Sequence, residues 1–503
     1  MAVETELKFR VPPRSMGTLA SWHIPGTTIG ERSADNLVST YFDTSKHKLK
    51  CKGLSLRVRR IGNKYVQTIK AGTVPHLGRG EWETEVRDNA PDPAKVNGTP
   101  LKLLGAKKLR RKLKPVFETS VHRIIVPVHT KGSEIELAID RGHITAGQRK
   151  SRIEEIELEL KSGRPTDLFS IAKMVERKSK AELYLRSKSD RGYDLLQGKG
   201  ERAAFAETIT LNGEMRAHDA FGFIAHSCVR QFAGNAHAVR RHDPEGVHQM
   251  RVGLRRLRAA ISVFSKLLPR AGTEAVKTEL KWLTNELAPA RELDVFVKEE
   301  IHPATEGLAH QGGKLIEDEF VTKRDEAFER AKKAVASERF RLLLIDVLEW
   351  IEIAKRNDTD DDASPSTGKF ANKVLHRRIK KIDKQARHLA KLSARQRHKL
   401  RIKVKKMRYA IEFFESLFPK SRQKALARLS RHLKRIQSAL GSLNDFAAHR
   451  KMAANAALKS RQSNGRVRAF ALGVVVGRED EAAKALIETA TREVGKLRRV
   501  TAF

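Results

Sequence analysis

The chain has 503 residues, enough for two to four domains that each bury a core. A formal charge of +40 and an isoelectric point near 10.3 point to a polyanionic partner: nucleic acid, polyphosphate or an anionic membrane surface. Aromatics at 6% are few for stacking on single-stranded bases, and two cysteines, Cys51 and Cys228, exclude a disulfide framework.

Charges begin at Glu4, leaving no signal-peptide h-region, and no apolar run approaches ~20 residues, Phe470 to Gly477 being among the longest. The expectation is a soluble, cytoplasmic protein with no membrane partner.

Residues 2–10 read Ala-Val-Glu-Thr-Glu-Leu-Lys-Phe-Arg. As a strand, period-two alternation puts Glu4, Glu6 and Lys8 on one face and Val3, Thr5, Leu7 and Phe9 on the other. Two carboxylates beside an ammonium can hold a hard divalent cation next to a bound anion; from this strand alone a solvated face with an ion pair is the favoured reading, and the return of the pattern elsewhere changes it. A looser stretch with Pro12, Pro13 and Pro25 follows. Strands are then expected at 37–43, 54–60 and 65–70, the last two joined by a Gly62-Asn63 hairpin turn. Further strands are expected at 81–86 (Glu81, Glu83, Glu85), 117–129 (carrying Arg123), 134–140 (Glu134, Glu136, Asp140) and 153–161. The last puts Glu155, Glu157, Glu159 and Lys161 opposite Ile156, Leu158 and Leu160, repeating the opening Glu-x-Glu-x-Lys. Eight strands with one apolar and one charged face predict an antiparallel sheet or barrel. Closed, the charged faces would line a tunnel suited to a compact polyanion brought in with a divalent metal.

Glu4-Thr-Glu6-Leu-Lys8, Tyr41-Phe-Asp-Thr44, Leu56-Arg-Val-Arg59, Ile135 to Asp140, Glu157-Leu-Glu159-Leu-Lys161 and Lys188-Ser-Asp-Arg-Gly-Tyr193, in this order, resemble the CYTH family of triphosphate tunnel metalloenzymes. The resemblance implies an eight-stranded tunnel that binds a triphosphate with Mg²⁺ or Mn²⁺. It implies Glu4, Glu6, Asp140, Glu157 and Glu159 as metal ligands, with Glu4, Glu6, Lys8, Glu157 and Glu159 as the catalytic set. Lys8, Arg57, Arg59, Lys70, Arg123, Lys161 and Arg186 would bind phosphate oxygens.

Residues 167–177 have helical spacing, and the strand pattern ends at a Gly198/Gly200 segment. The expected organisation is a tunnel domain at 1–197, a linker at 198–212 and a helical domain at 213–503, an α+β multidomain chain. In the helical half, Met250, Leu254, Leu257, Ile261 and Phe264 make one face of a helix, and His248, Arg251, Arg255 and Arg258 a basic stripe opposite. The pattern returns at an offset of 150, with His398, Arg401, Lys405 and Arg408 against Leu400, Val404, Met407, Ile411 and Phe414. A later match, Leu280 to Glu292 with Leu433 to Asp445, has an offset of 153. The helical domain is therefore expected as two repeats, about 213–355 and 369–503, joined by a polar linker over Arg356 to Gly368.

His248 to Arg258 and His398 to Arg408 resemble the CHAD family, an α-helical, pseudosymmetric domain. The resemblance implies a basic groove that binds inorganic polyphosphate through these stripes together with Arg256 and Lys406. The expected function is metal-dependent hydrolysis of inorganic triphosphate to diphosphate and phosphate, with an appended polyphosphate-binding domain and possible placement at polyphosphate granules. The alternatives are a non-catalytic polyphosphate-binding and granule-targeting protein, which would gain nothing from Glu4, Glu6, Glu157 and Glu159, or a nucleic-acid binder, which competition between polyphosphate and duplex DNA at matched salt would separate.

Overall fold

The computed structural model describes residues 5–71, 80–96, 98–101, 112–198, 200, 202–305, 313–356, 364–458, 473 and 483–500. Glu4, the apolar run at 470–477 apart from Gly473, and 357–363 of the polar linker lie outside them. Two compact units emerge: Met1–Ala203 with Ala336–Ile353, and Ala204–Val335 with Ala354–Phe503.

The first unit is an antiparallel sheet. Its strands are β1 (Thr5–Arg10), β2 (Thr28–Ile29), β3 (Ser33–Thr44), β4 (Leu54–Ile61), β5 (Lys64–Ala71), β6 (Gly80–Val86), β7 (Leu113–Thr130), β8 (Ser133–Ala146), β9 (Arg149–Ser162) and β10 (Glu182–Leu183). The order is β10-β1-β9-β8-β7-β3-β4-β5-β6, with β2 also on β7, so the path is open among the described residues. All eight expected strands are present, and two-residue β2 and β10 are additions. Gly62, at φ +56°, opens the expected β4–β5 turn.

Cross-strand register keeps the two faces separate. Leu7 and Phe9 of β1 lie opposite Leu158 and Ile156 of β9, which lie opposite Leu137 and Ile139 of β8. All six are buried. Helix α1 (Pro13–Ser21) packs on α3 (Pro165–Ser179), and α3 sits on β9, burying Leu168, Phe169, Ile171, Ala172 and Val175. The α1 segment was expected to be loose. Pro12 instead caps the helix and Pro13 enters its first turn, where a fixed φ and a missing N–H cost nothing. The short α2 (Lys48–Cys51) contributes Leu49 to a core with Phe42, Leu54, Leu56, Val58 and Ile69. Across the charged face lies α4 (Lys188–Leu196), which contacts β7, β8 and β9.

The longer helices that follow are α5 (Ala217–Ala233), α6 (Pro244–Phe264), α7 (Arg270–Phe296), α8 (Gly313–Ala336), α9 (Glu338–Arg356), α10 (Thr367–Ala386), α11 (Ala394–Phe414) and α12 (Lys420–Leu458). The starts of α5, α6 and α7 recur 150 residues later in α10, α11 and α12. The caps recur too: the Asp243 side chain accepts from Glu245 N–H, and the Ser393 side chain from Gln396 N–H. Ala217 N donates to Pro365 O at 3.1 Å, while Thr367 N donates to Met215 O at 2.8 Å, a reciprocal pair at matched positions. The rings of Phe264 and Phe414, also matched, lie 5.9 Å apart and are fully buried. A pseudo-twofold axis therefore runs between the repeats. Residues 338–353 of α9 group with the sheet unit, where Lys173 meets Asp346 and Glu349, each at 2.7 Å, and Arg341 meets buried Glu176 at 2.6 Å. The expectation had placed this helix wholly in the first repeat. Among the described residues no helix is long and apolar enough to cross a membrane.

Candidate functional site

The register carries every expected tunnel residue on β1, β9, β8, β7, β4 and β5 to one sheet face. Glu6 and Lys8 oppose Glu159 and Glu157, and Glu136 opposes Glu159 from the other side. Arg123 opposes Asp140. Tyr41 and Ser39 oppose Arg57 and Arg59, and Thr68 opposes Arg57 and Glu83. Lys70 faces Glu81.

Within this face the charges are largely paired. Glu157 is held by Arg123 at 2.5 Å, Lys188 at 2.8 Å and Lys8 at 3.0 Å. Both oxygens of fully buried Asp140 accept from Arg123 at 2.7 Å, and Lys188 adds a contact of 2.7 Å. Burial alone would raise Glu157, but Lys188, Lys8 and Arg123 hold it well below the usual carboxylate range. Asp140 is lowered likewise, against its burial, first by Lys188. Lys70 pairs with Glu81 at 2.6 Å and Arg57 with the same carboxylate at 3.5 Å. Lys161 pairs with Glu159 at 2.7 Å, and Arg186 is committed to Asp194.

Arg59 is the exception. Its only side-chain hydrogen bond among the described residues is to Ser39 Oγ at 3.4 Å, and none of their carboxylates lies within ion-pair distance. Burial, then the neighbouring Arg57 and Arg123, lower it to about 10. This half-buried guanidinium among other guanidiniums favours an incoming anion.

Lys188 and Arg191 belong to the last tunnel motif, for which the sequence predicts no role. Lys188 touches Asp140, Glu157 and, at 3.2 Å, Glu155; Arg191 pairs with Glu155. The whole Lys188–Tyr193 motif serves their placement. The Ser187 side chain caps α4 in a reciprocal box with Asp190. A Cβ on Gly192 would meet Phe117 at 2.2 Å, so only glycine lets α4 approach β7 this closely. Tyr193 Oη donates to Asp43 Oδ2 at 2.7 Å, and Asp43 also accepts from the Leu49 and Lys50 N–H groups.

For a divalent ion, an oxygen-only donor set suits Mg²⁺ or Mn²⁺. Among the described residues, however, no three His, Cys, Asp or Glu side chains form a group able to hold a metal. The carboxylates of Asp140 and Glu157 are paired with Arg123 and Lys188, and Glu157 also with Lys8. Glu6 and Glu159 are cross-strand partners, with Lys8 3.9 Å from Glu6, Lys161 2.7 Å from Glu159 and Glu136 opposite Glu159, so these carboxylates offer the oxygen donors that such an ion takes; Glu4 lies outside the described residues.

In the helical unit the two basic stripes converge. Lys405 is pushed down to about 7 by burial and by Arg255, Arg401 and Arg251, so residues of both repeats surround it. The arrangement is matched across the repeats: Arg251 lies 3.7 Å from Glu292, and Arg401 lies 4.0 Å from Asp445. Among the described residues the Nε atoms of Arg251, Arg255, Arg401 and Arg408 are buried without a hydrogen-bond partner. His398 Nδ1 lies 2.6 Å from Asn444 Oδ1, and His248 is lowered by burial and by Arg291. Arg258 is exposed on the same helix. Arg256 is not on this surface. It is 1% exposed, donating to Glu412 at 2.7 Å and to Gln231 at 2.8 Å, so its expected polyphosphate contact is corrected to a core ion pair.

Comparison with known proteins divides the chain in the same way. Residues 2–193 match the CYTH domain model and residues 224–454 the CHAD domain model. An inorganic triphosphatase of Haemophilus influenzae is 31% identical over 198 residues, covering 38% of this chain and 55% of that protein. The chain thus spans about half the length of this curated relative. The crystal structure of the CHAD domain from the plant Ricinus communis superposes with a TM-score of 0.52 at 24% identity, covering 60% of this chain and 99% of that one.

Proposed function

The chain is a CYTH domain followed by a CHAD domain, and from that premise we propose that its sheet unit hydrolyses inorganic triphosphate to diphosphate and phosphate. The observation that carries this reading is Arg59, a half-buried cation with no carboxylate within ion-pair distance among the described residues, on a face whose charges are largely paired. A terminal phosphoryl group would meet Arg59 first, with Arg57 and Arg123 alongside. Lys188 and Arg191, fixed by α4, would balance the charge of Asp140, Glu155 and Glu157 so that this end of the face does not repel the substrate. Water attacks the terminal phosphorus in line, the bridging P–O bond breaks, and diphosphate leaves with that bonding pair. A divalent ion held by Glu6 and Glu159, with Glu4, would supply charge neutralisation and a more acidic water. The H. influenzae relative's name supports the substrate class.

The helical unit would bind inorganic polyphosphate at the Arg251, Arg255, Arg401 and Lys405 cluster, where both repeats supply cations. Two stripes engaging one chain make the second engagement intramolecular, so affinity should climb with chain length. The test is phosphate release by the full chain over triphosphate, nucleotides, thiamine triphosphate and long polyphosphate, with Mg²⁺ or Mn²⁺. Release from triphosphate that Arg59→Met abolishes supports the reading; equal release by wild type and variant refutes it.

A further inference from the structure

The two helical repeats differ at one buried place, and the difference is one of charge. In the first repeat Arg256 belongs to a charge-balanced network: Nε donates to Glu412 at 2.7 Å, Nη1 to Gln231 at 2.8 Å, and Gln231 in turn donates to Gln249 at 2.9 Å, while Nη2 is buried without a partner among the described residues. Buried Cys228 lies beside it. At the constant offset of 150, Arg256 corresponds to Lys406, Glu412 to Ser262, Gln231 to Lys381 and Cys228 to Arg378. The acid has become a hydroxyl, while the cysteine and the glutamine have become cations.

These exchanges leave the second repeat with unbalanced positive charge. Arg378 Nη2 reaches across to α6, donating to Ser262 O at 2.8 Å and Ser262 Oγ at 3.4 Å, and its Nε is buried with no partner among the described residues. Lys406 is lowered by burial and then by Arg378, Arg258 and Lys277. Lys277 has Glu274 at 2.7 Å, but among the described residues no carboxylate lies within ion-pair distance of Arg258, Arg378 or Lys406. Three cations from α6, α10 and α11 thus act on one another, half-buried Arg378 and Lys406 with exposed Arg258, and Arg378 also reaches the Ser262 hydroxyl. Uncompensated charge in a half-buried place is costly unless an anion completes it.

We propose that Arg378, Lys406, Arg258 and the Ser262 hydroxyl form an oxyanion subsite for a phosphoryl group, built in one half of the pseudosymmetric domain only. The guanidinium fork and the hydroxyl suit phosphoryl oxygens. This inference rests on the polyphosphate reading and deepens it: a bound polyphosphate leaves the shared Arg255/Lys405 cluster toward Arg258 and Lys406, not toward the Arg256–Glu412 side.

The test titrates the full chain with polyphosphate and, separately, with orthophosphate across a salt series. Ser262→Glu supplies the carboxylate that closes the other half, and Arg378→Cys supplies the matching residue of the first repeat. Each should weaken polyphosphate binding about tenfold. Each should also flatten the log–log salt dependence by roughly 0.7 per lost phosphate contact, which a change in folding alone does not do. Arg378→Lys, keeping the charge, should recover most of the loss. Melting curves identify a variant that fails to fold, and the other then decides. Orthophosphate binding that Ser262→Glu abolishes would confirm the subsite with free phosphate as an additional ligand. Wild-type binding left unchanged by both variants overturns the subsite while the polyphosphate reading stands. Wild type that binds no polyphosphate, with Arg255→Glu likewise inert, refutes that reading, and the subsite with it.

Discussion

Lys188 gives the sharpest test of how α4 holds the charged face. Lys188→Met keeps the length of the side chain and removes its charge. Asp140 and Glu155, 0% and 1% exposed, lose contacts of 2.7 and 3.2 Å, and Glu157 loses one of 2.8 Å. Breaking a buried pair outright costs about 3–5 kcal/mol. Arg123 still serves Asp140 and Glu157, and Arg191 still serves Glu155, so the expected loss is about 2–4 kcal/mol. Asp140 and Glu157 titrate below their ordinary values in the folded chain, so their contribution is present at neutral pH and lost as pH falls through their folded values. The substitution raises both. The gap between wild type and variant should therefore be widest near pH 7 and close as pH drops below ~4. Urea unfolding of the full chain, followed at both pH values, measures it. An unchanged midpoint at pH 7, or an equal gap at both, would refute the reasoning.

Arg59→Met should leave stability unchanged or raise it by up to ~1 kcal/mol while kcat/KM for triphosphate falls about 100-fold, because the residue is uncompensated without its anion; thermal melts with steady-state kinetics check both. Polyphosphate affinity should fall as pH rises through about 7, where free Lys405 loses its proton, and Lys405→Arg should remove that step, as fluorescence titrations between pH 6 and 9 would show. Glu6→Gln should abolish hydrolysis in a chain with an unaltered circular dichroism spectrum and weaken Mn²⁺ binding by calorimetry; full turnover in excess EDTA would contradict the ligand role.

The sheet was legible because its charged and apolar residues alternate strictly, so Glu6, Glu157, Glu159, Arg57 and Arg59 could be set on one face before any register was known. Helix α1 was hidden by its prolines, which mark helix starts as readily as loops. Lys188 was hidden because its partners lie on β8 and β9 while it sits on a short helix; nothing in its own neighbourhood reports a long-range ion pair. The duplication was fully written in the sequence, since offset residues require no structure to compare. Arg256 was misplaced because three arginines fall within four positions of α6, and only their angles separate them. It lies in line with buried Gly253 and Ala260, a row of small residues that was the available signal for a buried guanidinium.

The central claim is that the charged face cleaves a triphosphate rather than merely binding it. Phosphorus-31 NMR of the full chain with inorganic triphosphate and Mg²⁺ follows substrate and both products together. The account predicts one diphosphate and one orthophosphate for each triphosphate lost, with the reaction stopped by EDTA. Triphosphate resonances that broaden on binding yet keep their full intensity would contradict it.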